Sequence, residues 1–353
     1  MKPTETTLPD MGWTQFFQSQ IEIEEYDRLT PVRVTEVHRN AIETIGQSGQ
    51  TRLPMTGELV DHGVAVGDWI VTDKNTDLPV RVLTRKTLLQ RRASGDDPSA
   101  QLIAANVDTL FIVSSCNADF NIARLERYMA LAHQAEIEPV IVLTKADLCD
   151  EPEEFRQRAQ SGLQGVVVET VVATDPKVAK QLEPWCSKGL TVALLGSSGV
   201  GKSTLINALT GAGVLTQDIR EDDAKGRHTT TRRSMHRTPT GGWVIDTPGM
   251  RSLRLTDVAE GVDMVFADVS ELVQYCKFRD CKHETEPGCA IQSAIAAGDL
   301  DPARLVRWQK LQREDARHTE TLAQGRERTR SLNKKYAGGK ARLKAKKGDF
   351  YQP

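Results

Sequence analysis

At 353 residues the chain is longer than one average domain of about 100–200 residues, so two or three domains are expected. Hydrophobic residues make up 39% and charged residues 27% of the chain, as in soluble globular proteins, and the lack of any run of about 18 apolar residues excludes a membrane-spanning protein. Residues 1–10 lack a basic segment followed by an apolar stretch, which excludes a secretory signal and predicts a cytoplasmic protein.

The first 95 residues divide into two parts. Residues 1–30 are polar with scattered apolar positions, and we predict a flexible or partly helical leader there. From residue 31 to about residue 95, short β-rich segments alternate with glycines, which predicts a small β-barrel of the five-stranded OB-fold type. Basic residues at its end either extend a nucleic-acid-binding surface or belong to a solvated linker, and the sequence favours neither. They are Arg81, Arg85, Lys86, Arg91 and Arg92.

Residues 100–258 alternate between apolar strand candidates and helical stretches, which predicts an α/β domain with a doubly wound, mostly parallel sheet. The strand candidates are near-continuous apolar runs, as expected for strands buried on both faces. They lie at residues 109–113, 140–143, 165–168, 191–195 and 242–245.

A complete phosphate loop, Gly-x-x-x-x-Gly-Lys-Ser, occupies residues 196–203 between a strand candidate and a helical stretch. Such a loop directs backbone N–H groups and the positive end of a helix at phosphates. Lys202 is expected to neutralise the β- and γ-phosphates, and the Ser203 hydroxyl is expected to bind Mg²⁺.

Two further elements follow the phosphate loop. Asp246 begins an Asp-Thr-Pro-Gly motif and is expected to hold Mg²⁺, while the N–H of Gly249 meets the γ-phosphate. The segment at 226–231, Gly-Arg-His-Thr-Thr-Thr, is typical of a switch that closes over the metal, with Thr230 as a third magnesium ligand. An ordinary polar loop would have the same composition.

Thr-Lys-Ala-Asp at residues 144–147 fits a guanine-recognition motif, because the Asp147 carboxylate can accept both the N1–H and the exocyclic amine of guanine. Adenine cannot form this pair, so GTP is expected rather than ATP. Thr144 stands where Asn is usual, and residues 172–174 are expected to contact the ring. The motif precedes the phosphate loop, whereas it follows the loop in an ordinary GTPase, which predicts a circularly permuted domain.

Met250 occupies the position where Ras-like enzymes place a water-orienting Gln. A thioether cannot polarise water, so slow intrinsic hydrolysis is expected. His228 is the candidate that positions the attacking water, and its alternative role is simple loop packing. Lys202 is the second catalytic candidate, through its positive charge. The predicted nucleotide contacts are Thr144, Lys145, Ala146, Asp147, Gly196, Ser197, Ser198, Gly199, Val200, Gly201, Lys202, Ser203, Thr204 and Gly249.

Residues 259–335 carry a cluster of three cysteines and one histidine, a donor set suited to one structural Zn²⁺. The predicted ligands are Cys276, Cys281, His283 and Cys289. We therefore predict a helical zinc-binding domain, followed by a basic flexible tail at 336–353. Residues 304–347 hold 15 Lys/Arg against 4 Asp/Glu, which predicts a phosphate-rich partner. The cations expected along the first helix of this segment are Arg304, Arg307, Lys310 and Arg313.

With Val-Gly-Asp-Trp at 66–69 added to these motifs, the chain from residue 31 to the tail resembles the ribosome small subunit-dependent GTPase A family, RsgA or YjeQ. The resemblance implies an OB-fold, a permuted GTPase domain with Mg²⁺ and GTP or GDP, and a zinc domain. It also implies binding to the small ribosomal subunit and its rRNA late in maturation, hydrolysis stimulated by that particle, and a catalytic role for His228. We expect a monomer.

Two alternatives remain at this point. The chain could be a GTPase that acts on a protein effector without RNA, or a zinc-dependent RNA-binding module whose nucleotide site is vestigial. The barrel and the basic tail oppose the first, and the complete phosphate loop opposes the second.

Overall fold

The computed structural model describes residues 6–92, 100–211, 233–247 and 258–318 of the chain. In this part, eleven strands form one continuous sheet and two form a separate antiparallel pair. The strands are β1 (Leu29–Val37), β2 (Ala41–Gly46), β3 (Gly49–Pro54), β4 (Trp69–Asp73), β5 (Pro79–Val82), β6 (Leu88–Arg92), β7 (Ala100–Ala105), β8 (Thr109–Ser115), β9 (Glu138–Thr144), β10 (Val167–Thr170), β11 (Thr191–Leu195), β12 (Ser234–Arg237) and β13 (Trp243–Asp246). The helices are α1 (Gln15–Gln18), α2 (Gly57–His62), α3 (Ile122–Gln134), α4 (Pro152–Gly162), α5 (Val178–Gln181), α6 (Glu183–Cys186), α7 (Lys202–Thr210), α8 (Ala259–Val265), α9 (Ala267–Val273), α10 (Ala290–Ala297) and α11 (Pro302–His318).

Strands β1 to β5 form the N-terminal antiparallel unit, in the order β3-β2-β1-β4-β5, with α2 between β3 and β4. This connectivity is that of a five-stranded, partly open Greek-key barrel, as the sequence predicted. Its interior is filled by Val34, Ile42, Leu59 and Ile70, all essentially inaccessible to solvent. Strand β1 also pairs with β12 at Glu36, so the barrel continues directly into the sheet of the next domain.

The Val-Gly-Asp-Trp motif is where the barrel meets the rest of the chain. Gly67 has φ +93°, and a Cβ there would lie 2.1 Å from the carbonyl oxygen of Ala105, so only glycine fits. The buried Asp68 carboxylate accepts two hydrogen bonds from Arg85, at 2.7 and 2.8 Å. Burial of an ionised carboxylate costs free energy unless a counter-charge pairs with it. Arg85 therefore serves as the partner of Asp68 within the barrel and not as a contact for another molecule.

The segment predicted as a leader contributes to the protein core. Met11, Trp13, Phe17 and Ile21 are buried, whereas Phe16 and Ile23 are exposed. The rings of Trp13 and Phe17 pack on Trp69 at centroid distances of 4.7 and 5.9 Å. Arg81 pairs with Glu25 of the same segment through two hydrogen bonds of 2.7 and 2.8 Å. The buried apolar residues of this polar segment therefore anchor it to the core.

The central domain has the predicted, mostly parallel sheet, in the order β10-β9-β8-β11-β13-β12. Only β12 is antiparallel to its neighbour within it. Strand β11 precedes the phosphate loop and lies between β8, which comes earlier in the chain, and β13, which comes later. The carboxyl ends of β8, β9, β11 and β13 consequently meet at one edge of the sheet, where ligands of open α/β folds bind.

Both faces of this sheet are covered by helices. Along β8, Leu110 and Ile112 pack on the side of α3, whereas Phe111 and Val113 pack on the side of α7. This alternation accounts for the uninterrupted apolar run of the strand.

The C-terminal helices pack against α3. Gly261 of α8 lies so close to α3 that a Cβ would be 2.0 Å from the carbonyl oxygen of Ala130. Glu126 of α3, fully buried, accepts hydrogen bonds from Arg307 of α11 at 2.9 and 3.0 Å, and Arg304 pairs with Asp268 at 2.6 and 2.8 Å. No described helix is both long enough and apolar enough to cross a bilayer.

This ion network corrects one expectation about α11. Arg304 and Arg307 were expected to face a phosphate-rich partner, but both are held in internal ion pairs because buried Glu126 and half-buried Asp268 require counter-charges. Lys310 and Arg313 are exposed.

Candidate nucleotide and metal sites

The phosphate loop connects β11 to α7 at the centre of the sheet edge. A Cβ on Gly196 would lie 2.2 Å from the Val113 carbonyl oxygen, and Gly199 and Gly201 have φ of +78° and +94°. Glycine is thus needed both for the close approach to β8 and for the turn. The Nζ of Lys202 donates to the carbonyls of Gly196 and Ser197, at 2.8 and 2.6 Å, so its ammonium lies over its own loop.

The guanine-recognition motif lies at the end of β9. Thr144 is fully buried, and its hydroxyl contacts the carbonyl of Ser114 at 3.1 Å and the carbonyl of Val200 in the phosphate loop. A threonine hydroxyl has one hydrogen for these two acceptors, whereas the usual Asn amide has two. Thr144 therefore keeps the link between the guanine motif and the phosphate loop with a single donor.

The rest of the motif is nearer the surface, with Lys145 and Ala146 half-buried and Asp147 exposed. Lys145 has φ +59°, in the left-handed region, and this turn places Asp147 in the short 3-10 helix Ala146–Leu148 with its carboxylate exposed. The predicted ring-contacting segment lies alongside, because Val171 hydrogen-bonds to Leu143 of β9 at 2.8 Å and accepts from Ala146 at 3.5 Å. The segment at 172–174 thus starts next to the motif.

Replacement of Thr144 by Val tests the single-donor link. Valine keeps the shape but removes the hydrogen bond to Val200, and we expect the free energy of unfolding to fall by about 1 kcal/mol together with weaker guanine nucleotide binding. Thermal denaturation and nucleotide titration measure the two effects. Thr144→Ser, which keeps the hydroxyl, is the matched control, and equal behaviour of both variants would contradict the assignment.

Asp246 ends β13, next to β11, and is mostly buried. Burial raises the pKa of its carboxyl to about 6, while the charge of Lys202 acts in the opposite direction. Burial disfavours the ionised form of this carboxyl, and a bound cation would stabilise it. This environment therefore fits the role predicted for Asp246 as a magnesium ligand. Ser203 lies in the first turn of α7 with an exposed side chain, as does Thr204. The predicted residues His228, Thr230, Gly249 and Met250 lie outside the described residues.

Asp119, in the loop between β8 and α3, contacts the phosphate loop and was not among the predicted residues. Its carboxylate accepts a hydrogen bond from the Ser197 hydroxyl at 2.6 Å and pairs with Arg124 at 2.7 Å. The only signal in the sequence is position, because Asp119 follows the strand that neighbours β11, at the carboxyl end where ligands bind.

The four predicted zinc ligands converge. Their donor atoms lie within 4.8 Å of one another, with Nδ1 of His283 3.6 Å from the sulfurs of Cys276 and Cys289, which are themselves 3.9 Å apart. A tetrahedral zinc ion with Zn–S bonds of about 2.3 Å has edges of roughly 3.8 Å between sulfurs. Burial raises the pKa of the Cys281 thiol to about 11, and a bound cation is what favours a thiolate there. The donor set and its spacing therefore fit Zn²⁺.

The cluster joins three separate elements. Cys276 follows α9, Cys289 caps α10 by accepting from the N–H of Gln292 at 3.5 Å, and His283, with φ +61°, packs its ring on Trp308 of α11 at 5.8 Å. The ligands are thus part of the packing of the C-terminal helices.

Sequence comparison finds two family profiles that match the chain. The RsgA GTPase profile matches residues 82–256. An ABC transporter profile matches residues 179–339, a range that includes the phosphate loop but leaves out the guanine motif at 144–147.

Individual relatives cover nearly the whole chain. The small ribosomal subunit biogenesis GTPase RsgA of Mesorhizobium japonicum is 52% identical over 317 residues, spanning 89% of this chain and 91% of that protein. RsgA 2 of Vibrio parahaemolyticus is 48% identical over 332 residues, spanning 94% and 92%.

Two solved structures have the same fold. YjeQ from Thermotoga maritima matches with a TM-score of 0.59 at 24% identity, over 80% of this chain and 97% of that one. YloQ, described as a circularly permuted GTPase, matches with a TM-score of 0.58 at 21% identity, over 85% and 99%. The permuted topology predicted from the motif order is confirmed.

Proposed function

The chain belongs to the RsgA GTPase family, and on that premise we propose that it hydrolyses GTP as a biogenesis factor of the small ribosomal subunit. It binds the small subunit and its rRNA late in maturation, as a cytoplasmic monomer, and the particle stimulates hydrolysis. The observation that carries the proposal is the sheet edge itself, where the phosphate loop and the guanine motif meet across strands in permuted order.

The described residues would divide the work at the nucleotide as follows. Asp147 pairs with guanine, and the loop at 196–201 surrounds the phosphates with N–H groups. The ammonium of Lys202 exchanges its hydrogen bonds to the carbonyls of Gly196 and Ser197 for hydrogen bonds to phosphate oxygens. Ser203, Asp246 and Thr230 would hold Mg²⁺, which neutralises charge that develops on the phosphates. His228 would position the water, since Met250 cannot.

The flanking domains supply the RNA-binding surfaces in this proposal. They are the barrel at 31–95, the zinc domain at 259–335 and the basic tail at 336–353, on either side of the GTPase domain at 100–258. A single Zn²⁺ held by the Cys/His cluster is structural, because four protein ligands leave no open position for chemistry.

Measurement of GTP hydrolysis with and without purified small ribosomal subunits tests the function. We expect a slow intrinsic rate and a clear increase when particles are added at low salt. The affinity for particles should fall steeply with salt because bound counterions are released from RNA. An unchanged rate with particles would favour a GTPase for a protein effector, and RNA binding without any turnover would favour a vestigial nucleotide site.

A further inference from the structure

A cavity of about 560 Å³ lies between the barrel and β12, outside the nucleotide site. The turn between β1 and β2 forms one side with His38, Arg39 and Asn40, Arg52 of β3 adds another cation, and Arg233 reaches it from the residue before β12. The other lining residues are apolar, and they are Val37, Val64, Ala65, Val66, Leu102 and Ile103. The cavity therefore has an apolar part and a basic part that holds three arginines.

Arg233 is half-buried but has no counter-charge among the described residues. Its Nε is shielded from solvent without a hydrogen-bond partner within the same residues. Burial and the like charge of Arg91 both lower the pKa of Arg233. A guanidinium withdrawn from water next to another cation is destabilising unless an anion joins it.

The carboxylates nearest the cavity lie beside His38 and Arg52 rather than beside Arg233. Glu43 lies 3.7 Å from His38 and 3.4 Å from Arg52, and Glu36 lies 3.5 Å from His38. Within the described ranges neither Arg39 nor Arg91 forms an ion pair, although the Nε of Arg91 donates to the neutral amide oxygen of Gln101 at 2.8 Å. In the part of the chain that the structure describes, the cations near the cavity without a carboxylate partner are Arg39, Arg91 and Arg233.

We propose that this cavity binds a backbone phosphate of RNA, with Arg233 as the principal contact, and that its occupancy is communicated to the GTPase site. The planar donors of a guanidinium match the oxygens of a phosphate, and a cavity this size admits a phosphodiester with part of its nucleotide. The assignment of RNA as the source of the phosphate rests on the proposed function.

The connection to the nucleotide site runs through one strand. Ser234, the residue after Arg233, is in register with Glu36 of the barrel on one side and with Asp246 on the other. Arg233 also directly follows the segment containing the switch motif at 226–231. A phosphate bound by Arg233 therefore acts on the strand that connects the barrel to the predicted magnesium ligand.

The Arg233→Gln variant of the full chain tests the proposal, with Arg237→Gln as matched control on the exposed end of the same strand. We expect Arg233→Gln to keep its fold and its intrinsic GTP hydrolysis. Its affinity for small subunits should fall about tenfold. The slope of log affinity against log salt concentration should become shallower by roughly 0.7–0.9, the value for one lost phosphate contact. Its hydrolysis at saturating particle should also be lower than that of the wild type.

An affinity and salt dependence equal to those of the wild type would overturn the site, and a normal rate at saturating particle would overturn the communication. Titration of a short oligoribonucleotide and of inorganic phosphate into both proteins separates this site from the proposed function. If the wild type ignores particles but binds the oligoribonucleotide through Arg233, the site holds and the proposed function fails. If only inorganic phosphate depends on Arg233, the assignment to RNA is wrong.

Discussion

Lys202→Ala is expected to abolish GTP turnover while leaving the protein folded. The ammonium is the one cation that the described phosphate loop offers to the β- and γ-phosphates, and removal of such a preorganised group typically lowers the catalytic rate about 10²–10³-fold. Lys202 also interacts with Asp246, so the variant loses the charge that eases ionisation of the predicted magnesium ligand. Single-turnover hydrolysis at saturating GTP measures the loss.

The fold should tolerate this change. Within the protein, Lys202 donates to the carbonyls of Gly196 and Ser197, in a loop that water can reach. Lys180→Ala, on the exposed face of α5, is the matched control and should keep wild-type turnover and melting temperature. A Lys202→Ala protein that hydrolyses GTP at the wild-type rate would rule out this site as the centre of catalysis.

The parts of this molecule that could be predicted from the sequence are those determined by residues that are neighbours in the chain. The phosphate loop could be predicted because strand, glycines and helix start follow one another within residues 191–210. Strands β8, β9 and β11 could be predicted because burial on both faces gives each a central apolar run. The permutation followed from motif order alone, which requires no knowledge of packing.

The rest depends on partners far away in the chain. Strand β12, Ser-Met-His-Arg, has no apolar run and exists because β13 and β1 pair with it on both sides. The contact between Ser197 and Asp119 spans 78 residues, and the pairs of Glu126 with Arg304 and Arg307 span 178 and 181. No local pattern predicts which of several arginines a buried glutamate will hold.

Helix α3 brings these long-range contacts together. Asn121 caps its N-terminus, next to the Asp119 that contacts the phosphate loop, and one turn later Glu126 and Arg127 pair with α11. Along the chain, the C-terminal helices follow β13 and Asp246, which is one connection between this domain and the nucleotide site. The described residues add a second connection through α3, so two elements join the C-terminal domain to the site.

Removal of zinc is expected to loosen the C-terminal helices while the phosphate loop stays folded. The cluster fixes the end of α9, the start of α10 and, through His283 on Trp308, the side of α11, and structural zinc contributes about 10–16 kcal/mol of binding free energy in small zinc peptides. Without the ion, nothing links the sulfurs of Cys276 and Cys289, which lie 3.9 Å apart. Hydrogen exchange after treatment with a chelator should speed up in α10 and α11 and remain slow in α7.

The Cys289→Ser variant makes the same test without a chelator. Serine keeps a capping oxygen for α10 but is a poor zinc ligand, so we expect substoichiometric zinc by elemental analysis, faster exchange in α10 and α11, and a lower melting temperature. Cys149→Ser, a half-buried cysteine remote from the cluster in sequence, is the control and should retain one zinc per chain. Because Leu305, Trp308 and Leu311 of α11 belong to the same hydrophobic core as α3, the helices should remain associated with the GTPase domain even as they loosen. Wild-type protein purified without zinc, with exchange in α10 and α11 indifferent to the chelator, would refute a structural metal site.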